Sequence, residues 1–194
     1  MSGSPDVPAA VDAIATILAH RQISHAFGGA LAQNYWGVVR ATQDVDVLAM
    51  IPALRFQDLV DDLDAAGFRA RGGDGVERHI AVGDVRAALR ESGLFSVWLG
   101  NVKVELFTPL LPLQHRILER ALAMPWRDRT IPVTTAEDLI VLKMVFHRDK
   151  DLRDIRAMIA TSGERLDRNY LLAQATAVLE PERTTELQRL LGVP

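Results

Sequence analysis

A chain of 194 residues with 48% hydrophobic and 24% charged residues is balanced like a folded globular protein, not a disordered one, and is long enough for one domain or two small lobes. Its formal net charge of −3 excludes a chain that is basic throughout, so any nucleic acid would be met by a local patch. The absence of cysteine removes disulfides, thiolate zinc sites and a cysteine nucleophile, leaves oxygen or imidazole to hold any metal, and suits a reducing, cytoplasmic setting.

No run of about eighteen apolar residues is present, so no membrane span is expected. The start, MSGSPDVPAA, lacks the basic stretch and apolar segment of a signal peptide. Val7, Val11, Ile14, Ile17 and Leu18 recur at helical spacing and predict an amphipathic helix from about Val7 to Arg21. Ser24 to Phe27 predicts a short strand running into a tight turn at Gly28-Gly29, and Ala30 to Trp36 a helix stopped by Gly37. In QDVDVLAM, Val45, Val47 and Ala49 alternate with Asp44, Asp46 and Leu48, the period-2 pattern of a strand. Pro52 to Ala66 returns to helical spacing and stops at Gly67. Phe68 to Arg71 predicts a brief strand before a flexible RGGDG loop, and Asp84 to Arg90 a further helix.

Phe95–Leu99 and Val102–Phe107 predict a hairpin turned at Gly100-Asn101. Beyond Pro109 and Pro112 almost everything reads as helix: Leu113–Ala123, Ala136–His147, Asp151–Thr161, Asp167–Leu179 and Glu182–Leu191. Thr135 suits an N-cap, with Glu137 and Asp138 in the first turn after it, and Ile131-Pro132-Val133 suits a short extended link. The expected architecture is an N-terminal α/β lobe, residues 1–110, and a helical lobe, residues 111–194, with a cleft between them.

Asp44 and Asp46 are the sharpest chemical feature. Two apart on a strand, their carboxylates point to the same side and repel, so a cation belongs between them. Mg²⁺ accepts one or two carboxylates while also binding phosphates. Alone, such a pair is more often simply the solvent face of a strand. Gly28-Gly29 lies at a strand-to-helix turn, where glycines let backbone approach phosphate and the next helix offers free N–H groups; plain turn geometry is the competing account. Glu105 alternates with Val104 and Leu106 and could add a third carboxylate. Lys143 interrupts the apolar run LIVL–MVF, where a buried ammonium is costly unless paired. It either snorkels or pairs with Asp154, or it faces the carboxylates and neutralises phosphate. Asp151 and Asp154 are candidates to orient Lys143 or activate an acceptor, with helix capping or pairing to Arg153 or Arg156 as the alternatives. Arg40 and Thr42, just before the acids, are candidates to touch phosphate. The histidines show no zinc-ligand spacing, and Trp36, Trp98 and Trp126 suit packing better than base stacking.

Taken together these residues resemble the nucleotidyltransferase superfamily related to DNA polymerase beta, on Phe27-Gly28-Gly29, Asp44-Val45-Asp46 and Glu105. FGGALAQNYWGVVRATQDVDVL looks like the AbiEii-like branch, many of whose members are toxins of toxin–antitoxin pairs. The later string AEDLIVLKMVFHRDKDLRDIRAMI is similar to that branch's second motif group, on Lys143, Arg148, Lys150, Asp151 and Asp154. The resemblance covers roughly residues 24–159, and Glu105 stands where an Asp is usual. It implies an α+β fold: an N-terminal mixed-sheet nucleotidyltransferase lobe followed by a helical lobe. It further implies Mg²⁺, or Mn²⁺, on Asp44, Asp46 and Glu105, with catalytic support from Lys143, Asp151 and Asp154. An NTP would be bound by Gly28, Gly29, Arg40, Thr42 and Lys143. The acceptor hydroxyl would belong to RNA such as tRNA, a protein or a small molecule, and a cognate antitoxin is an implied partner. The competing reading is an NTP-binding or partner-binding module of the same fold without catalysis.

Overall fold

The computed structural model describes residues 6–193. Asp6 caps the first helix, α1 (Val7–His20), by accepting the Ala9 N–H at 2.9 Å. The helix buries Ala10, Val11, Ile14 and Leu18 completely. Strand β1 (Ser24–Phe27), helix α2 (Gly29–Tyr35) and strand β2 (Asp44–Met50) follow, then α3 (Phe56–Ala65). A small hairpin of β3 (Ala70–Arg71) and β4 (Glu77–Arg78) precedes α4 (Val82–Ser92) and the longer hairpin β5 (Leu94–Leu99) and β6 (Val102–Phe107). The second half contains α5 (Pro112–Arg120), β7 (Leu122–Trp126), β8 (Arg129–Val133), α6 (Ala136–Phe146), α7 (Asp149–Ser162), α8 (Arg168–Val178) and α9 (Pro181–Leu191). Among these helices none is long and apolar enough to cross a membrane.

Six strands form one mixed sheet in the order β5-β6-β2-β1-β8-β7. β1 runs antiparallel to β2, with Ser24 opposite Met50 and Phe27 opposite Val47. β2 runs parallel to β6. The alternation read in QDVDVLAM decides which side of the sheet is core. Val45, Val47, Ala49, Val104 and Leu106 are fully buried, and α1 packs across β1, β2 and β6. Burying such a side chain contributes about 1.5–3 kcal/mol, so a one-residue slip of β2 would exchange valines for carboxylates and is strongly disfavoured.

The sheet does not end where the sequence suggests. The helix expected over Leu113–Ala123 stops at Arg120, and Leu122 already belongs to β7. The expected link Ile131–Val133 is part of β8, which lies beside β1 in the middle of the sheet, with Phe27 opposite Val133. The last two strands thus come from beyond residue 110, from the stretch that reads as helical. Pro125 is tolerated because β7 is an edge strand. The hairpin turns through Arg127 at φ 53°, a left-handed position that usually favours Gly, Asn or Asp. Two contacts tie α2 to this hairpin: Trp36 Nε1–H donates to the Thr134 carbonyl at 2.9 Å, and the Tyr35 hydroxyl to the Pro125 carbonyl at 2.7 Å.

Candidate active site

The parallel pairing of β2 and β6 sets Asp44 opposite Lys103 and Asp46 opposite Glu105. Period-2 alternation then gathers all four side chains on one face, the one opposite the valines. Asp44 is exposed, while Asp46 and Glu105 are partly buried. Like charges directly opposite one another across two strands destabilise a sheet. Burial first, then the charges of Glu105 and Asp44, push the Asp46 carboxyl up to about 6, against the smaller opposing influence of Lys103 and Lys143.

A carboxyl whose folded pKa lies above its unfolded value favours the protonated folded state. In divalent-free buffer, stability should therefore fall as pH rises from about 4 to about 6, by about 3 kcal/mol in full. Asp46→Asn should flatten that segment and melt higher than wild type at pH 8. Urea titrations of both proteins at pH 4 and pH 8 check it; equal pH dependence in the two would remove Asp46 as its source.

The glycine turn meets the acids directly. The Gly28 N–H donates to the Asp46 carbonyl at 2.9 Å, so this amide anchors the turn to β2 and is not free for phosphate. Gly29 sits at φ 52°. A Cβ there would stand 1.7 Å from Asp46 Oδ2 and 2.7 Å from its Cγ, distances no atom can hold. Glycine is thus favoured twice, by the backbone angle and because any side chain here would have to push the Asp46 carboxylate aside. Gly29→Ala should destabilise the fold by about 1–3 kcal/mol. Placed in an Asp46→Ala background, the same change should cost less, because only the backbone strain remains; equal penalties in both backgrounds would refute the close contact.

Helix α6 brings the second group. Lys143 is buried, with Nζ 2.8 Å from Asp154 Oδ2 and 3.5 Å from Asp151 Oδ1. Asp151 also accepts from the Arg148 backbone N–H at 3.2 Å, capping α7, and from Arg148 Nε–H at 2.6 Å. Of the expected alternatives the capping is present, but the arginine partner is Arg148, not Arg153 or Arg156. Burial alone would raise both carboxyls. The Arg148 hydrogen bonds at Asp151, and Lys143 with Gln33 and Arg40 at Asp154, outweigh it and hold both below the usual range. Gln33, on α2, lies beside Asp154 and is buried, yet its amide nitrogen has no partner in hydrogen-bond geometry.

Arg40 reaches Asp154 at 3.7 Å, which joins the loop after α2 to this cluster. Thr42 turns inward: its hydroxyl donates to the Asp44 carbonyl at 2.7 Å and accepts the Asp44 N–H at 3.1 Å. These bonds set the backbone at the start of β2. Lys103, not among the candidates from sequence, joins the site with its Nζ 2.5 Å from Glu105 Oε1. Its signal was present, since Lys103 and Glu105 are two apart on one strand and so share a face.

Mg²⁺ takes one or two carboxylates and completes its shell with water and phosphate oxygens. Asp44 and Asp46 meet that requirement: adjacent, oxygen-bearing, mutually repelling and set against a glycine that leaves room. Among the described residues no three His, Asp or Glu side chains converge as a ready-made metal cluster, Glu105 being held by Lys103 instead. Hollows of about 360 Å³ between α4 and β5, and about 520 Å³ beside the end of α7, include none of the three sheet acids or Lys143.

A mixed sheet bearing paired aspartates beside a strand–Gly-Gly–helix turn, followed by packed helices, is the nucleotidyltransferase fold, of α+β class. Solved structures sharing it include the antibiotic-resistance factor ANT(2'')-Ia in solution, at 13% identity over 94% of this chain and 95% of that one, with a TM-score of 0.55. ANT(2'')-Ia in complex with adenylyl-2''-tobramycin is similar at 14% identity over 88% and 97%, TM-score 0.54. An antigenic nucleotidyltransferase-like protein from Paracoccidioides brasiliensis is similar at 16% identity over 97% and 93%, TM-score 0.55. No protein-family model matches the chain, and no curated protein does.

Proposed function

We propose that the protein is a Mg²⁺-dependent nucleotidyltransferase that moves a nucleotidyl group from an NTP to an acceptor hydroxyl. The observation that carries this reading is the contact of Gly29 with Asp46, inside a row of carboxylates that repel one another unless a cation joins them. Asp44 and Asp46 would hold Mg²⁺, or Mn²⁺; bound there, the metal would bind phosphate oxygens and stabilise charge on the departing pyrophosphate. The acceptor oxygen bonds to the α-phosphorus as the bond to the pyrophosphate oxygen breaks. Glu105, one strand from Asp46, would take the acceptor proton. Lys143, held between Asp151 and Asp154, offers a fixed cation to the phosphates, with Arg40 and Arg148 beside it.

The acceptor classes are an RNA end such as tRNA, a protein hydroxyl and a small molecule. The tobramycin adduct of ANT(2'')-Ia, which has the same fold, supports the last. The likeness to the AbiEii-like branch supports a toxin with a cognate antitoxin. One observation favours a second reading. The Lys103–Glu105 pair neutralises the third carboxylate, which would suit an NTP-binding module that does not release pyrophosphate.

Mg²⁺ and NTP together should raise the melting temperature more than either alone, since each completes the other's site. Linkage gives about 2.7 kcal/mol at a hundredfold excess over the dissociation constant. The same samples, assayed for pyrophosphate in a cell extract, separate the readings. Stabilisation without pyrophosphate selects the binding module, and a melt indifferent to both ligands defeats the nucleotide site.

A further inference from the structure

Phe146 closes α6 three residues after Lys143 and is 61% exposed, although the backbone carrying it is unusually well fastened. Arg183 of α9 donates to the carbonyls of Val145, at 2.7 Å, and Met144, at 3.3 Å. His147 turns the chain at φ 54°, returns its N–H to the Lys143 carbonyl at 2.8 Å, and bonds Glu186 through Nε2 at 2.6 Å. The residues on either side of Phe146 are thus held from α9 while the ring stays bare. A large apolar side chain on a fixed backbone, left uncovered, brings less backbone freedom to be lost when something lands on it.

Its surroundings say what that is. The Arg148 guanidinium lies 5.1 Å from the ring centroid, and the same group bonds Asp151, which neighbours Lys143. A continuous line of contacts therefore leads from the proposed phosphate-binding ammonium to the aromatic ring. A planar, uncharged ring system attached to a polyphosphate fits this line, because stacking needs only a π face and an adjacent arginine strengthens it.

We propose that Phe146, with Arg148, is the platform on which the nucleobase of the NTP stacks while Lys143 meets the phosphates. The inference rests on the nucleotidyltransferase reading, and the test separates the two. With the full chain in Mg²⁺, dissociation constants are measured for each of the four ribonucleoside triphosphates and for inorganic tripolyphosphate, which has no base. Wild type should prefer its best NTP over tripolyphosphate, and Phe146→Ala should lose roughly tenfold of that preference with tripolyphosphate binding unchanged. Phe146→Trp should restore it, whereas Phe146→Leu, apolar but without a π face, should not. Melting curves in the absence of ligand should coincide for all four proteins, since the ring is exposed. An unchanged preference in Phe146→Ala overturns the platform and leaves the nucleotide site standing. Equal loss of NTP and tripolyphosphate binding also overturns it, by showing a general disturbance. Wild type that binds neither ligand overturns the platform together with the reading beneath it.

Discussion

Asp44→Asn and Asp46→Asn should each lower pyrophosphate release at least a hundredfold while the protein stays folded. Replacing an outer partner of a metal ligand already costs 10–100-fold, and these side chains would be the ligands themselves. The substitution keeps shape and removes charge, so packing is undisturbed: Asp44 is exposed, and Asp46 stands at the edge of burial with its carboxyl pushed up to about 6. Asp46→Asn should even melt higher at neutral pH, which gives the test its force, because lost activity then cannot come from lost structure. The measurement is pyrophosphate release against Mg²⁺ concentration, with melting curves beside it. A variant as active as wild type would take the metal away from β2.

Lys143→Met should be both inactive and markedly less stable, and the two losses should be separable. The ammonium faces Asp154 at 2.8 Å and Asp151 at 3.5 Å. Without it Asp151 keeps Arg148, but Asp154 keeps only the neighbouring Gln33 amide and the longer contact to Arg40 at 3.7 Å. Breaking one side of a buried ion pair costs about 3–5 kcal/mol, roughly a 10 °C fall in melting temperature for a chain of this size. Adding Asp154→Asn removes the stranded charge and should recover most of the stability, but none of the activity. Lys143→Arg should recover little activity, because a planar fork does not reproduce a point charge. An active Lys143→Met/Asp154→Asn double variant would make Lys143 a purely structural cation and pass the phosphate to Arg40 or Arg148.

The carboxylate strand was legible because its alternation is strict and short: Val45, Val47 and Ala49 admit one face for the core, and Asp44 and Asp46 must take the other. The same rule located Glu105, and applied once more it would have located Lys103. Lys143 was visible as an interruption of an apolar run, and a pairing with Asp154 was one of its two readings. Asp151 and Asp154 were both candidates to orient it, and the structure brings both carboxylates to the ammonium, at 3.5 and 2.8 Å. The β7–β8 hairpin was hidden for local reasons. Pro125 and Pro132 interrupt its strands, Arg127 occupies a turn position where glycine or asparagine would signal a hairpin, and Leu113 and Ile117 supply genuine helical periodicity just before it. Gly28-Gly29 had two readings, a turn that lets backbone approach phosphate and plain turn geometry. In the structure Gly28 anchors the turn to β2 and Gly29 makes room for a carboxylate, a use that only the register of β1 against β2 reveals.

Placing β8 next to β1 carries a consequence for how the chain is made. The Phe27 carbonyl accepts the Thr134 N–H at 2.9 Å, so the strand leading into the glycine turn is braced by residues that emerge from the ribosome much later. At about 5–20 residues per second, β1 waits roughly 5–20 s with one edge unpaired, the interval in which a nascent sheet is most exposed to pairing with another chain. A chain halted before residue 133 carries all three sheet acids but neither the brace behind the turn nor Lys143. The site is therefore assembled late in translation, and truncated products are expected to be sticky and inactive together.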